Sequence, residues 1–369
     1  MSASSAERRP EARRLMEGSE AIAEAAIAAG CRFFSGYPMT PFTELLENFA
    51  AKLPASGGVC INAESELEAV GMAWGAVATG ARAATGSTGQ GLALMQESFS
   101  ELARAELPLV IFNMARGQYD YYQATRGGGH GDYRHLVFAP IDSAEAVELT
   151  QLAFHLADRW RNPVMVYGDY LLAHTAEAVE VAPREFAELP AKDWAVDGSL
   201  GGSGRSRNVN PIGMTKGSKG IEPESFWRRL QKKWDAMARE EARIETEFCE
   251  DAELVVVAFG TLARFVRFAV EELRNEGLKV GYARPITLWP FPGEGLVEAT
   301  CGATQVAVLE QNAGQMIDDV RLAVLGSAPV IPIGGISSDE AGFGLGPLLD
   351  PELIRERIRS AYNAEEIEL

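Results

Sequence analysis

Short apolar segments that predict strands alternate with longer segments that predict helices along most of this chain of 369 residues. Between about residues 18 and 175, the alternation is typical of a parallel β-sheet with helices on both faces. The clearest predicted strands are Arg32–Ser35, Arg82–Thr85, Leu109–Met114 and Pro163–Tyr167. The same alternation begins again at Glu253 and predicts a second, smaller α/β domain.

These patterns divide the chain into a flexible tail (1–17), a first α/β domain (18–175), a linker with a charged helix (176–250) and a second α/β domain (251–369). The linker contains Gly198–Gly220, which is rich in Gly and Ser and is predicted to be an exposed connection. The charged helix is predicted over Glu224–Phe248. We expect its apolar stripe to pack against a neighbouring domain or subunit; the stripe consists of Phe226, Trp227, Leu230, Trp234 and Met237.

Acidic residues outnumber basic ones by 52 to 34, which gives a formal net charge of −18. Because nucleic acids and anionic lipids repel such a surface, we expect neither as a partner. We find no apolar stretch long enough to span a bilayer and no secretory signal, so we predict a cytoplasmic protein. The four cysteines are widely spaced and form no Cys-x-x-Cys pair. We therefore predict reduced thiols, without an iron–sulfur cluster or a structural zinc site in this chain.

The segment Ser35–Leu46 resembles the end of a strand that leads into a helix. Thr40 is placed to cap this helix and Pro41 to occupy its first turn, since Thr caps free N–H groups and Pro suits that position. A helix N-terminus at a strand end favours an anion, because its N–H groups and its dipole attract negative charge. Thr40 is therefore either a plain N-cap or a residue that orients a substrate carboxylate.

Two further residues extend this candidate anion site. Glu66 lies in the first turn of the next predicted helix, where it either stabilises the helix or acts on a ligand. Glu64 and Glu68 lie close to it, so spacing alone does not decide which of the three glutamates acts on a ligand. Arg116 follows a predicted strand and either forms a structural ion pair or binds a carboxylate through two parallel hydrogen bonds. An anion site beside a carboxylate suggests a cofactor enzyme that acts on an acid.

Two glycine-rich segments border the predicted strand ends. Gly86–Gly91 lacks the Gly-Lys-Ser/Thr ending of a phosphate-binding loop, so we expect its glycines to let the backbone pass close to a neighbour or a cofactor ring. The loop Gly117–His135 is predicted to be a lid or a subunit contact. Its His130, Asp132 and His135 have loose spacing, so we predict no metal site in this chain.

Six segments of the chain form a distinctive series. They are GYPMTP (Gly36–Pro41), AESELEA (Ala63–Ala69), AELPLVIFNMARG (Ala105–Gly117), QATRGGGHGDYR (Gln123–Arg134), DRWRNPVMV (Asp158–Val166) and LEQNAGQMIDDVRLAV (Leu309–Val324). Together and in this order they resemble the α subunit of the 2-oxoacid:ferredoxin oxidoreductases, which use thiamine diphosphate. The resemblance runs from about Gly18 to Ala361, and the nearest branch is the 2-oxoisovalerate (branched-chain) type.

This resemblance implies a thiamine-diphosphate-binding fold, in which a pyrimidine-type domain is followed by a transketolase C-terminal-like α/β domain. Glu66 matches the glutamate that bonds N1′ of the aminopyrimidine ring, so it is implied to be both catalytic and cofactor-binding. Thr40 and Arg116 match the substrate-contacting threonine and arginine of the family. The implied activity is the oxidative decarboxylation of a 2-oxoacid to acyl-CoA and CO2, with coenzyme A as co-substrate.

The half of the site that binds the diphosphate is missing from this sequence. Thiamine enzymes hold the diphosphate through Mg²⁺ on a Gly-Asp-Gly…Asn-Asn segment, and this chain contains neither Gly-Asp-Gly nor Asn-Asn. The resemblance therefore implies a β subunit that holds the diphosphate and Mg²⁺, with the active site between the two subunits. It also implies [4Fe-4S] clusters in γ and ferredoxin-like subunits, or in fusions of them, that pass electrons to ferredoxin.

One departure from the branched-chain type concerns the substrate. After Arg116 that type usually carries an insert rich in Gly and Pro, whereas here Gly117 is followed at once by Gln118–Tyr122. We hypothesise that this shorter, aromatic loop changes the pocket so that it takes an aryl or other unusual 2-oxoacid. Two alternative functions are the β chain of a lipoamide-dependent 2-oxoacid dehydrogenase and a non-catalytic assembly subunit.

Overall fold

The structure is a computed structural model that describes residues 13–196, 223–344 and 346–367. The predicted connection 198–220 and most of the predicted tail lie outside the described residues. The elements up to residue 179 are β1 (Arg14–Glu17), α1 (Gly18–Ala28), β2 (Phe33–Gly36), α2 (Thr43–Lys52), β3 (Val59–Asn62), α3 (Glu66–Ala78), β4 (Ala83–Ser87), α4 (Gly89–Ala105), β5 (Leu109–Ala115), α5 (Tyr121–Thr125), β6 (Leu136–Phe138), α6 (Ser143–Trp160), β7 (Val164–Asp169), α7 (Tyr170–His174) and β8 (Ala176–Val179). The later elements are α8 (Pro223–Glu240), β9 (Ile244–Glu247), β10 (Leu254–Val257), α9 (Leu262–Asn275), β11 (Val280–Pro285), β12 (Thr287–Trp289), α10 (Gly293–Thr300), β13 (Gln305–Val308), α11 (Met316–Val324), β14 (Val330–Pro332) and α12 (Pro351–Tyr362).

Seven strands form the larger sheet, in the order β12-β6-β7-β5-β4-β2-β3. Its neighbouring strands are parallel except β12, which runs antiparallel to β6. Strand β5 is buried along its whole length, as expected where helices cover both faces of a parallel sheet. The predicted parallel α/β sheet is therefore confirmed.

Alternate residues of β5 pack into two different hydrophobic clusters. Leu109 and Ile111 belong to a cluster that includes residues of α3 and α4. Val110 and Phe112 belong to a cluster that includes residues of α1, α2 and α6. Because successive side chains of a strand point to opposite faces of a sheet, the two clusters lie on opposite faces and helices cover both.

Five strands form the second sheet, in the order β14-β13-β10-β11-β9. Strands β10, β11, β13 and β14 are parallel, whereas β9 runs antiparallel to β11. Helices α9 and α12 pack on one face through apolar residues such as Val266 and Ile358, which are fully buried. The predicted second α/β pattern therefore forms a separate sheet, and its other face shares a hydrophobic cluster with the larger sheet.

Three pairs of strands cross the predicted domain boundaries. β1, which falls in the predicted flexible tail, pairs antiparallel with β8 of the predicted linker. β9 also falls in the predicted linker but completes the second sheet, and β12 of the second domain pairs with β6 of the larger sheet. The tail and linker predictions are wrong for these segments. Each strand is short and pairs with a distant partner, so its local sequence carries little signal.

The charged helix α8 begins at Pro223 and ends at Glu240, earlier than predicted. Most of its apolar stripe is buried in the cluster that also holds residues of α1, α2 and α6, whereas Trp227 is 37% exposed. The buried residues are Phe226, Leu230, Trp234 and Met237. The expectation that this stripe packs on a neighbouring domain is confirmed.

None of the helices within the described ranges combines the length and the apolar character that a membrane crossing requires. The two longest, α6 and α8, have 18 residues each and carry charged side chains.

A buried group of ion pairs joins the two domains. Arg284 on β11 is 2% exposed and donates two hydrogen bonds of 2.8 Å to the carboxylate of Glu145 on α6. Its Nε donates a third, of 2.6 Å, to Glu245 on β9. Glu145 also accepts a hydrogen bond of 2.7 Å from the backbone N–H of Ile141. Loss of one partner from such a group leaves an uncompensated buried charge.

We expect Arg284→Met to lower the free energy of unfolding by about 3–5 kcal/mol, because it leaves Glu145 and Glu245 without their common partner. Urea unfolding followed by circular dichroism measures the difference. The control is Arg228→Met, which removes an exposed ion pair with Glu224 within α8 and should cost less than about 1 kcal/mol. Equal losses in the two variants would contradict the role of Arg284.

Candidate functional site

Three neighbouring strands of the larger sheet, β2, β4 and β5, end at the same edge. Their last residues are Gly36, Ser87 and Ala115, so the segments that follow lie together where open α/β sheets bind ligands. Two predicted site residues meet here, because Nε of Arg116 donates a hydrogen bond of 3.1 Å to the backbone carbonyl oxygen of Thr40. The edge therefore brings the predicted substrate-binding pair together.

Thr40 does not cap a helix. Helix α2 begins at Thr43, its N-cap is Phe42, and no side chain caps its first turn. Thr40 is exposed, and the peptide bond between Thr40 and Pro41 is cis. Phe42 is fully buried and its ring stacks 6.0 Å from that of Phe34, so apolar packing determines where the helix begins. The predicted Thr40 cap, with Pro41 in the first turn, is wrong.

Glu66 is the first residue of α3, and Ser65 caps that helix by accepting a hydrogen bond of 3.3 Å from the backbone N–H of Glu68. Burial separates the three candidate glutamates, because Glu66 is 4% exposed whereas Glu64 and Glu68 are exposed. Oγ of Ser87 donates to Oε1 of Glu66 across 3.4 Å. In the described part of the chain, Oε2 of Glu66 has no hydrogen-bond partner. Glu66 is therefore the buried carboxylate of the three, with spare capacity to accept a hydrogen bond.

The first turn of α4 passes very close to two carboxylates. A Cβ atom added to Gly91 would lie 2.4 Å from Oε1 of Glu66 and 2.0 Å from Oγ of Ser87. A Cβ atom added to Gly89 would lie 2.2 Å from Oδ1 of Asp120. These separations are far shorter than a non-bonded contact, so a side chain at either position would displace the carboxyl group that it meets. The prediction that these glycines allow a close approach of the backbone to a neighbour is confirmed.

Helix α4 begins at this edge without a side-chain cap. Its N-cap residue, Thr88, has an extended backbone, and its hydroxyl group contacts Sδ of Met39 at 2.9 Å and Oε1 of Gln90 at 3.2 Å. The helix has 17 residues, so its dipole places partial positive charge at the edge. The anion-favouring helix end that was predicted at α2 therefore has a counterpart at α4, beside Glu66.

Asp120 is a candidate functional residue that the sequence analysis missed. It lies in the short 3-10 turn Gln118–Asp120, and Nδ2 of Asn113 donates to its Oδ2 across 3.4 Å. Burial raises the pKa of Asp120 to about 6, against the opposing effects of the Asn113 hydrogen bond and the Arg116 charge. This carboxyl group therefore titrates close to neutral pH. The one feature of the sequence that points to Asp120 is Gly89, because its missing side chain makes room for the Asp120 carboxyl group.

Tyr119 and Tyr121 of the loop 117–135 contact the second domain of the same chain. The hydroxyl group of Tyr121, which is fully buried, donates a hydrogen bond of 2.6 Å to Oδ2 of Asp319. The hydroxyl group of Tyr119 donates one of 2.9 Å to the backbone carbonyl oxygen of Ser337. These two side chains help to hold the two domains together. The hypothesis that the shorter loop changes the pocket for an aryl or other unusual 2-oxoacid stays a prediction.

Gln118 links the same turn to the second sheet. It is 1% exposed, and its Nε2 donates a hydrogen bond of 2.8 Å to the backbone carbonyl oxygen of Phe259. Its Oε1 accepts one of 2.9 Å from the backbone N–H of Gln311, and its backbone carbonyl oxygen accepts another from Nδ2 of Asn312. The second domain therefore positions the turn that carries Asp120, a role that the sequence analysis did not assign.

Among the residues that the structure describes, no group of three or more His, Cys, Asp or Glu side chains is arranged to hold a metal ion. His130 is exposed, whereas burial lowers the pKa of His135 to about 4, so His135 is neutral at pH 7. All four cysteines are free thiols. Burial raises the pKa of Cys31 to about 12, so this thiol is protonated and unreactive at neutral pH.

Comparisons with known proteins match two families along the chain. Residues 24–246 match the family described as pyruvate flavodoxin/ferredoxin oxidoreductase, thiamine diphosphate-binding. Residues 252–341 match the family described as pyruvate:ferredoxin oxidoreductase core domain II.

Two curated proteins illustrate the similarity. Ketoisovalerate oxidoreductase subunit VorB of Methanothermobacter marburgensis is 39% identical over 322 residues, which cover 85% of this chain and 90% of that protein. 2-Oxoglutarate synthase subunit KorA of Methanothermobacter thermautotrophicus is 35% identical over 347 residues, which cover 85% of this chain and 92% of that protein.

Two solved structures share the fold. One is a 2-oxoglutarate:ferredoxin oxidoreductase from Magnetococcus marinus with 2-oxoglutarate, coenzyme A and succinyl-CoA bound, at a TM-score of 0.80 and 25% identity. The match covers 95% of this chain and 66% of that chain, so this chain spans slightly less than two thirds of its length. The other is a split-gene transketolase, an inactive β4 tetramer, at a TM-score of 0.57 and 16% identity over 95% of this chain and 99% of that chain. The transketolase match shows a shared fold alone.

We expect Asp120→Asn to stabilise the protein at pH 8 and to have little effect at pH 4. The folded state holds a proton on Asp120 more tightly than the unfolded chain does, so wild-type stability falls as the pH rises from the ordinary pKa of 3.8 through about 6. The neutral Asn avoids this loss and should raise the free energy of unfolding at pH 8 by about 3 kcal/mol. Urea unfolding at the two pH values measures the difference.

The matched control for this experiment is Asp235→Asn, which alters an exposed carboxylate on α8. A gain in Asp120→Asn that is no larger at pH 8 than at pH 4, or that equals the gain in the control, would show that Asp120 is not a desolvated carboxyl group.

Proposed function

This chain belongs to the pyruvate flavodoxin/ferredoxin oxidoreductase family, and we propose that it is the α subunit of a 2-oxoacid:ferredoxin oxidoreductase. The reaction is the oxidative decarboxylation of a 2-oxoacid with coenzyme A, which yields acyl-CoA, CO2 and two electrons for ferredoxin. The chain covers 90% of VorB and 92% of KorA, which are named as ketoisovalerate oxidoreductase and 2-oxoglutarate synthase subunits. These relatives favour this function over that of a lipoamide-dependent dehydrogenase.

The observation that carries the proposal is the position of Glu66. Its carboxylate is buried at the start of α3, with Oε1 near Ser87 and with no hydrogen bond to Oε2 among the described residues. Gly91 lets the backbone of α4 lie close to Oε1, because a Cβ atom there would overlap this oxygen. A flat ring with a hydrogen-bonding nitrogen can donate to the unpaired Oε2. The aminopyrimidine ring of thiamine diphosphate is a group of this kind, so the residues present are compatible with the cofactor.

Thiamine diphosphate, when bound, supplies the electron sink for decarboxylation. We assign Glu66 to hydrogen-bond a nitrogen of the aminopyrimidine ring and to hold a proton there. Burial favours this role, because a hydrogen bond gains strength when water is excluded from it. The exposed Glu64 and Glu68 lack this environment.

Arg116 and Thr40 are assigned to the carboxylate of the substrate. Nε of Arg116 is held by the carbonyl oxygen of Thr40, and the guanidinium group lies 5.7 Å from the centre of the Phe343 ring. In the described part of the chain its two terminal nitrogens have no hydrogen-bond partner. A guanidinium group fixed through Nε and free at its terminal nitrogens is suited to a carboxylate. The hydroxyl group of Thr40 lies on the same exposed turn.

We propose a branched-chain 2-oxoacid as the substrate, supported by the 39% identity to a ketoisovalerate oxidoreductase subunit. 2-Oxoglutarate is the second candidate, since the identity to a 2-oxoglutarate synthase subunit is 35%. An aryl 2-oxoacid stays a further alternative, because the loop after Arg116 is short and aromatic.

A β subunit is proposed to cover the outer face of α3 and α4. Leu67 and Met72 on α3 are 57% and 37% exposed, and Leu94 on α4 is 52% exposed. A Cβ atom added to Gly71 or Gly75 on α3 meets nothing within 4 Å, so another protein surface can approach the helix closely. This apolar face begins at the end of α3 that carries the buried glutamate. A subunit docked on it therefore reaches the same edge of the sheet.

The remaining cofactors are assigned to partner subunits of a cytoplasmic complex. The β subunit would hold the diphosphate and Mg²⁺, because the sequence of this chain has no Gly-Asp-Gly or Asn-Asn segment. The [4Fe-4S] clusters would lie in γ and ferredoxin-like subunits or in fusions of them, because the four cysteines of this chain form no cluster motif.

We expect Glu66→Gln in the assembled complex to lower the rate of decarboxylation by at least about 100-fold, because Gln cannot hold the proton that Glu66 holds. The measurement is CoA-dependent reduction of a viologen dye with 2-oxoisovalerate. Glu64→Gln is the control, since this neighbouring glutamate is exposed, and it should keep the wild-type rate. A wild-type rate in Glu66→Gln would support a non-catalytic assembly subunit instead.

We expect Met72→Glu to prevent co-purification of this chain with its β subunit, because it places a charge in the centre of the apolar face of α3 and α4. Native mass spectrometry of the co-expressed subunits measures assembly. Leu322→Glu is the control, because this residue is 68% exposed on α11 of the second domain. Normal assembly of Met72→Glu, or equal disruption by Leu322→Glu, would place the subunit interface elsewhere.

A further inference from the structure

The turn that carries Asp120 is fixed on both sides. Before it, Gln118 is almost fully buried and bonds to backbone groups of the second sheet. After it, Tyr121 is fully buried and its hydroxyl group bonds to Asp319. The carboxyl group of Asp120 is therefore held against Gly89 at the first turn of α4 and does not move with a free loop.

The groups around the Asp120 carboxyl include one positive charge. Strand β5 contributes the neutral amide of Asn113, and the residue that follows this strand, Arg116, contributes the charge. Strand β7 contributes Tyr167, and the turn itself contributes Tyr119. Burial raises the pKa of both tyrosines, so both are neutral at pH 7. Helix α4 contributes the backbone of its first turn, without a side chain at the nearest position.

Arg116 is therefore shared between two possible anions. It acts on Asp120 through its charge, and within the described ranges the two residues form no ion pair. The only hydrogen bond that its side chain makes to the described residues runs from Nε to the carbonyl oxygen of Thr40. A substrate carboxylate bound to the terminal nitrogens of Arg116 would bring a second negative charge close to Asp120. Two carboxyl groups beside one guanidinium group favour the protonation of one of them.

We propose that Asp120 couples binding of the substrate carboxylate at Arg116 to the uptake of a proton, an inference that rests on the proposed function. Neutral Asp120 leaves the charge of Arg116 to the substrate. Ionised Asp120 repels the substrate carboxylate and competes for the same guanidinium group. Asp120 thereby sets the pH range over which the site accepts an anionic substrate, as a specificity-determining residue that takes no part in the bond-breaking step.

The coupling operates near neutral pH. Burial is the largest cause of the raised pKa of Asp120, which lies at about 6, so the group changes charge close to neutral pH. Bound substrate raises this pKa further, and binding therefore takes up a proton above pH 6. The KM for the 2-oxoacid should rise with pH, whereas the KM for coenzyme A should not follow the same curve.

The test is the KM for 2-oxoisovalerate between pH 5.5 and pH 8, measured in the assembled holoenzyme. We expect the wild-type KM to rise about tenfold over this range, which corresponds to about 1.4 kcal/mol. In Asp120→Asn the residue is neutral at every pH, so the profile should be flat. Asp132→Asn, which alters an exposed carboxylate of the same loop, is the control and should keep the wild-type profile.

Asn113→Leu gives a second test that leaves Asp120 in place. The substitution removes the hydrogen bond that favours ionised Asp120, so the inflection of the KM profile should move to higher pH. A rise of KM with pH that persists in Asp120→Asn, or an inflection that does not move in Asn113→Leu, would overturn the proposal. The proposed function is tested separately, by the rate of decarboxylation in Glu66→Gln. The pH dependence of KM tests only the role of Asp120.

Discussion

The close approach of the first turn of α4 to the carboxyl groups of Glu66 and Asp120 is the constraint on which the candidate site depends. Both carboxyl groups occupy space that a side chain at Gly91 or Gly89 would fill. The parallel sheet creates this arrangement, because β2, β4 and β5 end at one edge and the helices that follow begin there. Two acidic groups thus lie beside a helix end of positive potential.

The second domain completes this edge instead of lying apart from it. Phe343 lies beside the guanidinium group of Arg116, and the backbone N–H of Gly344 donates to the Arg116 carbonyl oxygen. Gln118 ties the turn of Asp120 to the second sheet, while Arg284 joins that sheet to α6. Both candidate substrate-side residues, Arg116 and Asp120, therefore take their positions from contacts with the C-terminal half of the chain.

Much of this arrangement is predictable from local sequence. Strand ends and glycine turns placed Thr40 and Arg116 at one edge, and the alternation of strands and helices gave both sheets. Burial, which selects Glu66 over Glu64 and Glu68, depends on tertiary packing and has no signal in spacing. The predicted Thr40 cap failed because buried Phe42 delays the start of α2 to Thr43. Asp120 was missed because its turn is positioned by contacts of Gln118 and Tyr121 with the distant residues 259 and 311–319, which only the folded chain brings together.

The most direct test of the account is a structure of the assembled complex with thiamine diphosphate and Mg²⁺ bound. The account predicts that the Glu66 carboxylate lies within hydrogen-bonding distance, about 3 Å, of a nitrogen of the aminopyrimidine ring. It also predicts that the diphosphate and Mg²⁺ are held by a partner subunit docked on α3 and α4. A ring that lies far from Glu66, or a diphosphate bound by this chain alone, would contradict the account.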